Sequence, residues 1–200
     1  MNNHDTEGAI AYALDRLVAE LPSHYTYHNL AHTAEGVLPA VVRLAAASGV
    51  DRADGDLLRV AAAFHDLGFL HRVVGHEITS ARMAAQVLPG FGFDRRSIDI
   101  IMGTILATRL PQSPRTPLEE ILADADLDSL GRADFFDRNI DLRQEMAFLD
   151  QPPDLADWYA SQIEFLQSHH YFTPAARQAN EVGKQENLQH MQKLLAALTR

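Results

Sequence analysis

The adjacent residues His65 and Asp66 place two strong metal ligands at the end of a run of small and apolar residues, Ala-Ala-Ala-Phe. Such a run is typical of a buried helix, and an uncompensated carboxylate in that setting costs several kcal/mol. A bound cation is one form of compensation. The alternative is an ordinary helix C-terminus, in which His65 favours the helix dipole, Asp66 is solvated and Gly68 caps the helix. The pair by itself leaves both interpretations open.

Histidines in two other segments offer similar chemistry. His28 and His32 are four residues apart, so on a helix they would share one face. Two solvated surface imidazoles are the ordinary alternative for that spacing. His76 follows a glycine at the predicted start of another helix, and Glu77 is next to it.

Three acidic residues, Asp124, Asp126 and Asp128, alternate within an otherwise apolar segment. On a helix Asp124 and Asp128 share a face while Asp126 points elsewhere, so at least one carboxylate faces inward or sideways. With His32 and the His65 pair, three helices would supply two imidazoles and two carboxylates. That mixture suits an octahedral Mn²⁺, Fe, Co²⁺, Ni²⁺, Mg²⁺ or Zn²⁺ ion with coordination positions open to water.

The elements that must position these side chains are all predicted to be helices, because apolar residues recur at helical spacing in nearly every segment. Pro39 lies inside the second of them and predicts a kink. No stretch shows the alternation of a strand. The sequence therefore predicts one all-α domain over residues 1–200, a bundle of eight or nine helices at about residues 5–21, 28–48, 54–66, 76–88, 94–106, 118–130, 134–149, 154–169 and 173–198.

Composition narrows the class of protein. The chain has 200 residues, 46% of them hydrophobic, which suffices for one domain with a sizeable core. A formal net charge of −10 disfavours a nucleic-acid duplex as partner, while a small anionic substrate is compatible with a cation in the site. The absence of cysteine excludes disulfides, thiolate catalysis and cysteine-ligated zinc. No leader or membrane-length apolar run is evident, so we expect a cytoplasmic protein with no membrane partner.

The order of the motifs resembles the HD superfamily of metal-dependent phosphohydrolases. His32, then His65-Asp66, then an Asp followed by Leu is similar to the order of the ligands in that superfamily. The motif Tyr-His-Asn-Leu-Ala-His at residues 27–32 resembles the Tyr-His-Asn-x-x-His signature of its cyclic-nucleotide phosphodiesterases. Residues 124–132 are similar to a segment of uncharacterised bacterial HD proteins. The resemblance covers a motif core at residues 25–132, on which we expect the helices of residues 134–198 to pack.

The resemblance implies a divalent metal ion held by His32, His65, Asp66 and one of the pair Asp124 and Asp126. Asp126 is favoured because the matching aspartate of the phosphodiesterase pattern is also followed by leucine. A second metal ion is left open by the resemblance.

The resemblance also implies roles around the metal. Asp66 belongs to the catalytic pair of the superfamily, and His28 matches the position of the acid that protonates the leaving group. His76 matches a further histidine of the two-metal members and is assigned to substrate binding. Independently of the resemblance, Arg109 or Arg72 could hold a phosphoryl oxygen bidentately. An ordinary surface arginine is the alternative for both and is favoured for Arg72, so Arg109 is the one assigned to substrate binding.

The sequence departs from the cyclic-dinucleotide hydrolases of the superfamily, since Phe69 replaces their lysine and their later histidine pair is absent. The predicted function is therefore hydrolysis of a phosphate ester of a nucleotide or similar small molecule by a metal-activated water. Two other classes remain as alternatives. One is a non-enzymatic metal- or nucleotide-binding regulatory module, and the other is a di-iron oxygenase with the same ligand set.

Overall fold

The computed structural model describes residues 4–149 and 154–199, and the regular elements within those ranges are all helical. The predicted all-α class is therefore confirmed. No helix in those ranges has the length and apolarity needed to cross a bilayer. The α-helices are α1 (Thr6–Glu20), α2 (Leu38–Ala47), α3 (Arg52–Phe64), α4 (His76–Val87), α5 (Arg95–Leu106), α6 (Pro117–Asp126), α7 (Phe135–Leu149), α8 (Leu155–Ser168) and α9 (Pro174–Leu198).

Side-chain caps define where most of these helices begin. In each case a side-chain oxygen accepts a hydrogen bond from a backbone N–H in the first turn, which satisfies a donor that the helix itself leaves free. Asp94 and Thr173 cap α5 and α9 at the predicted positions. Both α6 and α9 also carry proline directly after the cap, where its missing N–H costs nothing.

The central helix of the bundle is α3, against which α1, α2, α5 and α6 pack. Its last turn, Ala61 to Phe64, is completely buried. Small side chains let the neighbouring helices approach closely, so the end of α3 lies in the middle of the core rather than at the surface. His65 and Asp66 follow directly and inherit this burial.

The predicted helix at residues 28–48 is irregular in its first half. The helical stretch begins only at Leu30, and His32–Val37 forms a π-helical turn before α2. The N–H of Leu38 bonds to the carbonyl of Thr33, five residues back. Pro39 follows and has no N–H to continue the α-helical pattern. The kink predicted at Pro39 is thus taken up by one widened turn just before it, and such turns are frequent at functional sites.

The predicted helix at residues 118–130 also ends early. After α6 the chain forms a tight turn, Asp128–Gly131, that packs against α9. A Cβ at Gly131 would collide with the carbonyl oxygen of Asn180, so glycine is needed for this close approach. The Asn180 amide also donates a 2.6 Å hydrogen bond to the buried Asp128 carboxylate. Helix α9 therefore fixes the segment that follows the metal-ligand candidate Asp126.

His169, just after α8, is buried, and neither ring nitrogen has a hydrogen-bond partner among the described residues. Burial, with a smaller contribution from the Lys184 cation, lowers the pKa of His169 to about 4. The unfolded chain binds this proton near pH 6.5, whereas the folded chain does not. The free energy of unfolding should therefore fall as the pH drops from 6.5 towards 4.

In the wild type, we expect the free energy of unfolding to fall by roughly 2 kcal/mol between pH 7 and pH 4 because of His169. His169→Leu should remove this part of the pH dependence. Urea denaturation at several pH values, in the presence of a metal chelator, measures the free energy of unfolding. The chelator removes the separate effect of metal loss at low pH. His170→Leu, at the exposed neighbouring position, is the matched control. An unchanged pH slope in His169→Leu would contradict the prediction.

Candidate metal centre

Three separate parts of the chain bring ligand side chains to one point in the core. The π-helical turn contributes His32, the end of α3 contributes His65 and Asp66, and the end of α6 contributes Asp126. His65 is 0% exposed and Asp66 is 4% exposed. The alternative of a solvated Asp66 at an ordinary helix end is therefore wrong.

The donor atoms of these four residues face one another. His65 Nε2 lies 3.2 Å from Asp66 Oδ2 and 3.3 Å from Asp126 Oδ1. His32 Nε2 lies 3.2 Å from Asp126 Oδ1 and 3.6 Å from Asp66 Oδ2. Atoms bound to one metal at about 2.0–2.2 Å lie about 3–3.5 Å from one another, so the spacing fits a shared cation.

The hydrogen bonds around His65 direct its second nitrogen into the cluster. Its Nδ1 donates to the Ala62 carbonyl at 2.7 Å, which leaves Nε2 with a free lone pair in the neutral ring. His65 Nε2 and Asp66 Oδ2 are both buried, and within the described ranges neither atom has a hydrogen-bond partner. Buried polar atoms without partners are costly, and a divalent cation satisfies both of these. The residues present therefore fit a metal ion.

The electrostatics of the cluster also favour a cation. Burial alone would lower the pKa of His65, but the nearby carboxylates of Asp66 and Asp126 outweigh it and hold the pKa well above its ordinary value. Burial likewise acts to raise the pKa of Asp66, yet His65 and His76 reverse the effect and hold it well below its ordinary value. The two carboxylates thus attract positive charge, which a metal supplies in place of a proton.

His76 lies beside Asp66, with Nε2 at 3.4 Å from Asp66 Oδ1. Its Nδ1 donates to the Val73 carbonyl at 3.0 Å, so Nε2 faces the carboxylate. Gly68 permits this placement, because a Cβ there would collide with the carbonyl oxygen of His76. Asp66 therefore has histidines at both of its oxygens.

His28 does not share a helix face with His32, because residues 25–29 are irregular and precede the helix. That part of the prediction is wrong, yet the two rings are still only 6.0 Å apart, measured between centroids. His28 Nδ1 forms a 2.5 Å hydrogen bond with Oε1 of Glu145, on α7. Glu145 Oε2 also accepts from the backbone N–H groups of Tyr27 and His28. The imidazole is thereby fixed with Nε2 as its free nitrogen.

Comparison with solved structures finds the crystal structure of a predicted HD superfamily hydrolase from an uncultured Thermotogales bacterium. The two chains are 20% identical and superpose with a TM-score of 0.64, over 94% of this chain and 92% of the other. The two proteins therefore share a fold. In this chain, ligand atoms of His32, His65 and Asp66 all lie within 4.8 Å of one another, close enough to hold a metal ion. No family model matches the sequence, and no similar curated protein is found.

Asp124 does not face the cluster, and this placement contradicts the prediction that it could replace Asp126 as a ligand. Its carboxylate points away from the cluster and accepts hydrogen bonds from the backbone N–H groups of Phe172 and Thr173, both at 2.8 Å. The Thr173 hydroxyl donates to it at 2.7 Å. Asp124 therefore anchors the start of α9, which is a structural role.

We expect Asp124→Ala to lower the free energy of unfolding by about 2–4 kcal/mol, because three donors lose a charged acceptor. The metal content of the folded fraction should not change. Asp126→Ala should show the reverse pattern, with metal lost. Urea denaturation and elemental analysis of the two variants measure this, and loss of metal from a folded Asp124→Ala protein would contradict the assignment.

The cluster opens into a cavity of about 690 Å³ that extends towards α7 and α8. Asp66, Asp126, His28 and His76 lie on its inner wall. Arg109 also lines the cavity, but its side chain is exposed and makes no direct contact with the four ligands. The predicted site residues other than Asp124 are thus gathered at the cluster or around this cavity.

Proposed function

We propose that this protein is a metal-dependent hydrolase of phosphate esters. Two buried atoms, His65 Nε2 and Asp66 Oδ2, carry the proposal, because neither finds a hydrogen-bond partner in the part of the chain that the structure describes, and their cluster opens into a large cavity. The neighbouring HD structure is named as a predicted hydrolase, which supports the same class of activity. A cation balances both the carboxylates of the cluster and the charge of a phosphate, which an acidic chain would otherwise repel.

His32, His65, Asp66 and Asp126 would hold this cation. When bound, such a cation would lower the pKa of a ligated water towards neutrality and would offset the charge of the phosphoryl oxygens. The four side chains leave one side of the cluster facing the cavity, where water and a phosphate can enter. His76 and Asp66, whose Oδ1 faces the His76 ring, are the residues that would hold a second cation.

His28 is the proposed acid that gives a proton to the leaving oxygen. Its imidazole lines the cavity and stacks on Phe69, with the two ring centroids 4.3 Å apart. Its free nitrogen points away from Glu145. Burial acts to raise the pKa of Glu145, but the hydrogen bond and charge of His28 outweigh it and lower that pKa. Glu145 therefore remains a carboxylate that holds the ring in place.

Arg109 and His76 are the proposed contacts to the phosphoryl group. Arg109 stands on the cavity wall with its side chain exposed, so its guanidinium can turn towards an incoming anion. His76 adds a second nitrogen beside Asp66. Both groups would stabilise negative charge on the oxygens that do not leave.

The proposal is tested by metal analysis of the purified protein and by a screen for phosphate release from nucleotides and other phosphate esters. Each assay is run with the metal-loaded wild type and with Asp126→Ala. The expected result is bound divalent metal and phosphate release in the wild type alone. Bound metal without release from any ester would contradict the proposal and favour a regulatory binding module. Bound iron with oxygen-dependent turnover would also contradict it and indicate an oxygenase.

Glu145→Gln should lower kcat about 10- to 100-fold without changing metal content, because the amide no longer stabilises a protonated His28. Since the acid acts late in the reaction, KM should change much less than kcat. The pH profile of kcat should shift as well, which a merely structural role for Glu145 would not produce. Steady-state kinetics between pH 5 and pH 9 measure both effects, and an unchanged profile would contradict the assignment.

A further inference from the structure

The cavity continues beyond the cluster to walls formed by α7, α8 and the turn after α6. The side chains on these walls are mainly apolar. They include Leu127, Leu130, Phe135, Leu142, Met146 and Phe165. A phosphate held at the cluster would leave this whole region to the organic part of the substrate.

Asn139 and Ser161, two polar side chains on these walls, are already bonded to the protein. Asn139 Oδ1 accepts from the Trp158 indole N–H at 2.8 Å, and Asn139 Nδ2 donates to Gln162 Oε1 at 2.7 Å. The Ser161 hydroxyl donates to the Trp158 carbonyl of its own helix at 2.8 Å. A nucleobase needs donors and acceptors from its pocket, and each unpaired buried polar group costs about 1–3 kcal/mol.

Arg138, a charged side chain on this wall, lies beside two aspartates. Arg138 Nη1 lies 3.3 Å from Asp141 Oδ2, and its Nε lies 3.9 Å from Asp134 Oδ2. Arg138 therefore offers little free charge for a second phosphate or a sugar hydroxyl. Arg109 remains as a cation for the phosphate being cleaved.

The mouth of the cavity is apolar as well. Val74 is 89% exposed, Leu110 is 54% exposed and Met146 is 45% exposed, and all three line the opening. They come from the loop before α4, the proline-rich loop and α7, so three separate elements present apolar surface at one place. Contiguous exposed apolar side chains of this kind mark a binding surface.

We infer that the substrate is a phosphate ester whose organic part is a large, uncharged apolar group, alkyl or aromatic, rather than a nucleoside. The inference rests on the proposed function, because the cluster must hold the phosphate for the organic part to reach these walls. The apolar group lies between α7 and α8 and covers Leu110 and Met146 at the mouth.

Phosphonates test this directly, because they bind like phosphate monoesters and cannot be hydrolysed. Calorimetry with the metal-loaded protein compares ethyl-, butyl- and octylphosphonate, naphthylmethylphosphonate, and a phosphonate analogue of AMP. We expect octylphosphonate to bind at least about tenfold more tightly than butylphosphonate, since each buried methylene adds affinity. The naphthyl and octyl arms distinguish an aromatic from an alkyl group. Equal affinity along the alkyl series, or tightest binding of the AMP analogue, would overturn the inference.

Variants locate the apolar group within the cavity. Leu142→Gln should weaken the binding of octylphosphonate about tenfold and leave the affinity for ethylphosphonate unchanged. Met146→Gln, at a position exposed enough to tolerate a polar residue, should have the same selective effect, and it keeps the test valid if Leu142→Gln does not fold. Ile140→Gln is the matched control, because Ile140 is also on α7, is 54% exposed and does not line the cavity. Equal weakening of both ligands in Met146→Gln would overturn the inference.

Failure of this inference and failure of the proposed function give different results. Phosphonate affinity that rises with chain length, without hydrolysis of any ester, would support the apolar site and contradict the enzyme. Hydrolysis of esters at rates independent of the apolar group would support the enzyme and overturn the apolar site.

Discussion

Asp66→Ala is expected to release the metal and to abolish both hydrolysis and metal-dependent stabilisation. In the wild type, Mn²⁺, Co²⁺ or Ni²⁺ added after chelation should raise Tm, because the unfolded chain has no preformed site. At a concentration about 100 times Kd the stabilisation is about 2.7 kcal/mol, or roughly 5–10 °C for a chain of this size. The rise should vanish in Asp66→Ala, since the carboxylate that contacts three histidines is gone.

Thermal scans with and without metal measure the effect, and elemental analysis gives the metal content. Asp15→Ala removes an exposed carboxylate on α1 and is the matched control, for which we expect the full rise in Tm. If Asp66→Ala responded to metal as the wild type does, the cluster could not be the metal site.

His28→Ala is expected to keep the metal and to lose hydrolysis by roughly 10²–10⁴-fold, the usual contribution of a general acid. The structure separates His28 from the ligands, because its Nδ1 bonds to Glu145 and its ring centroid lies 6.0 Å from that of His32. His32→Ala should lose both metal and activity. Metal analysis and initial rates of the two variants measure the difference.

The leaving group provides the control for this assignment. A p-nitrophenyl ester releases an anion that needs no proton, so its hydrolysis should be affected much less by His28→Ala than that of an alkyl ester. Equal losses for both esters would mean that His28 has a role other than proton donation. A metal-free His28→Ala protein would make His28 a ligand.

The sequence was most informative where chemistry and local structure coincide. The apolar run before His65 predicted a buried helix end, and the run is fully buried. The caps Asp94 and Thr173 begin their helices at the predicted positions because capping depends on neighbouring residues alone. The all-α class followed from apolar periodicity in the same local way.

What the sequence could not supply depends on long-range packing. Glu145 is far from His28 in the chain, and nothing in its surroundings on α7 distinguishes it from a surface glutamate. Periodicity also could not separate Asp124 from Asp126, because which carboxylate turns inward depends on where α9 docks. The π-helical turn escaped prediction for a related reason, since Pro39 indicates only that some distortion must occur nearby.

The close packing of α9 on the segment after α6 couples the docking of α9 to the binding of a cation at the cluster. Asp124 holds the start of α9, and Asn180 and Asn187 of α9 bond to Asp128 and to backbone carbonyls on the following turn. Asp126 lies between these attachments in the sequence, so we expect local opening of α9 to release this candidate ligand. By thermodynamic linkage, a cation that binds the cluster must stabilise the docked state of α9 to the same extent. The docking of α9 and the affinity of the cluster for a cation are thus thermodynamically linked, although α9 itself contributes no candidate ligand.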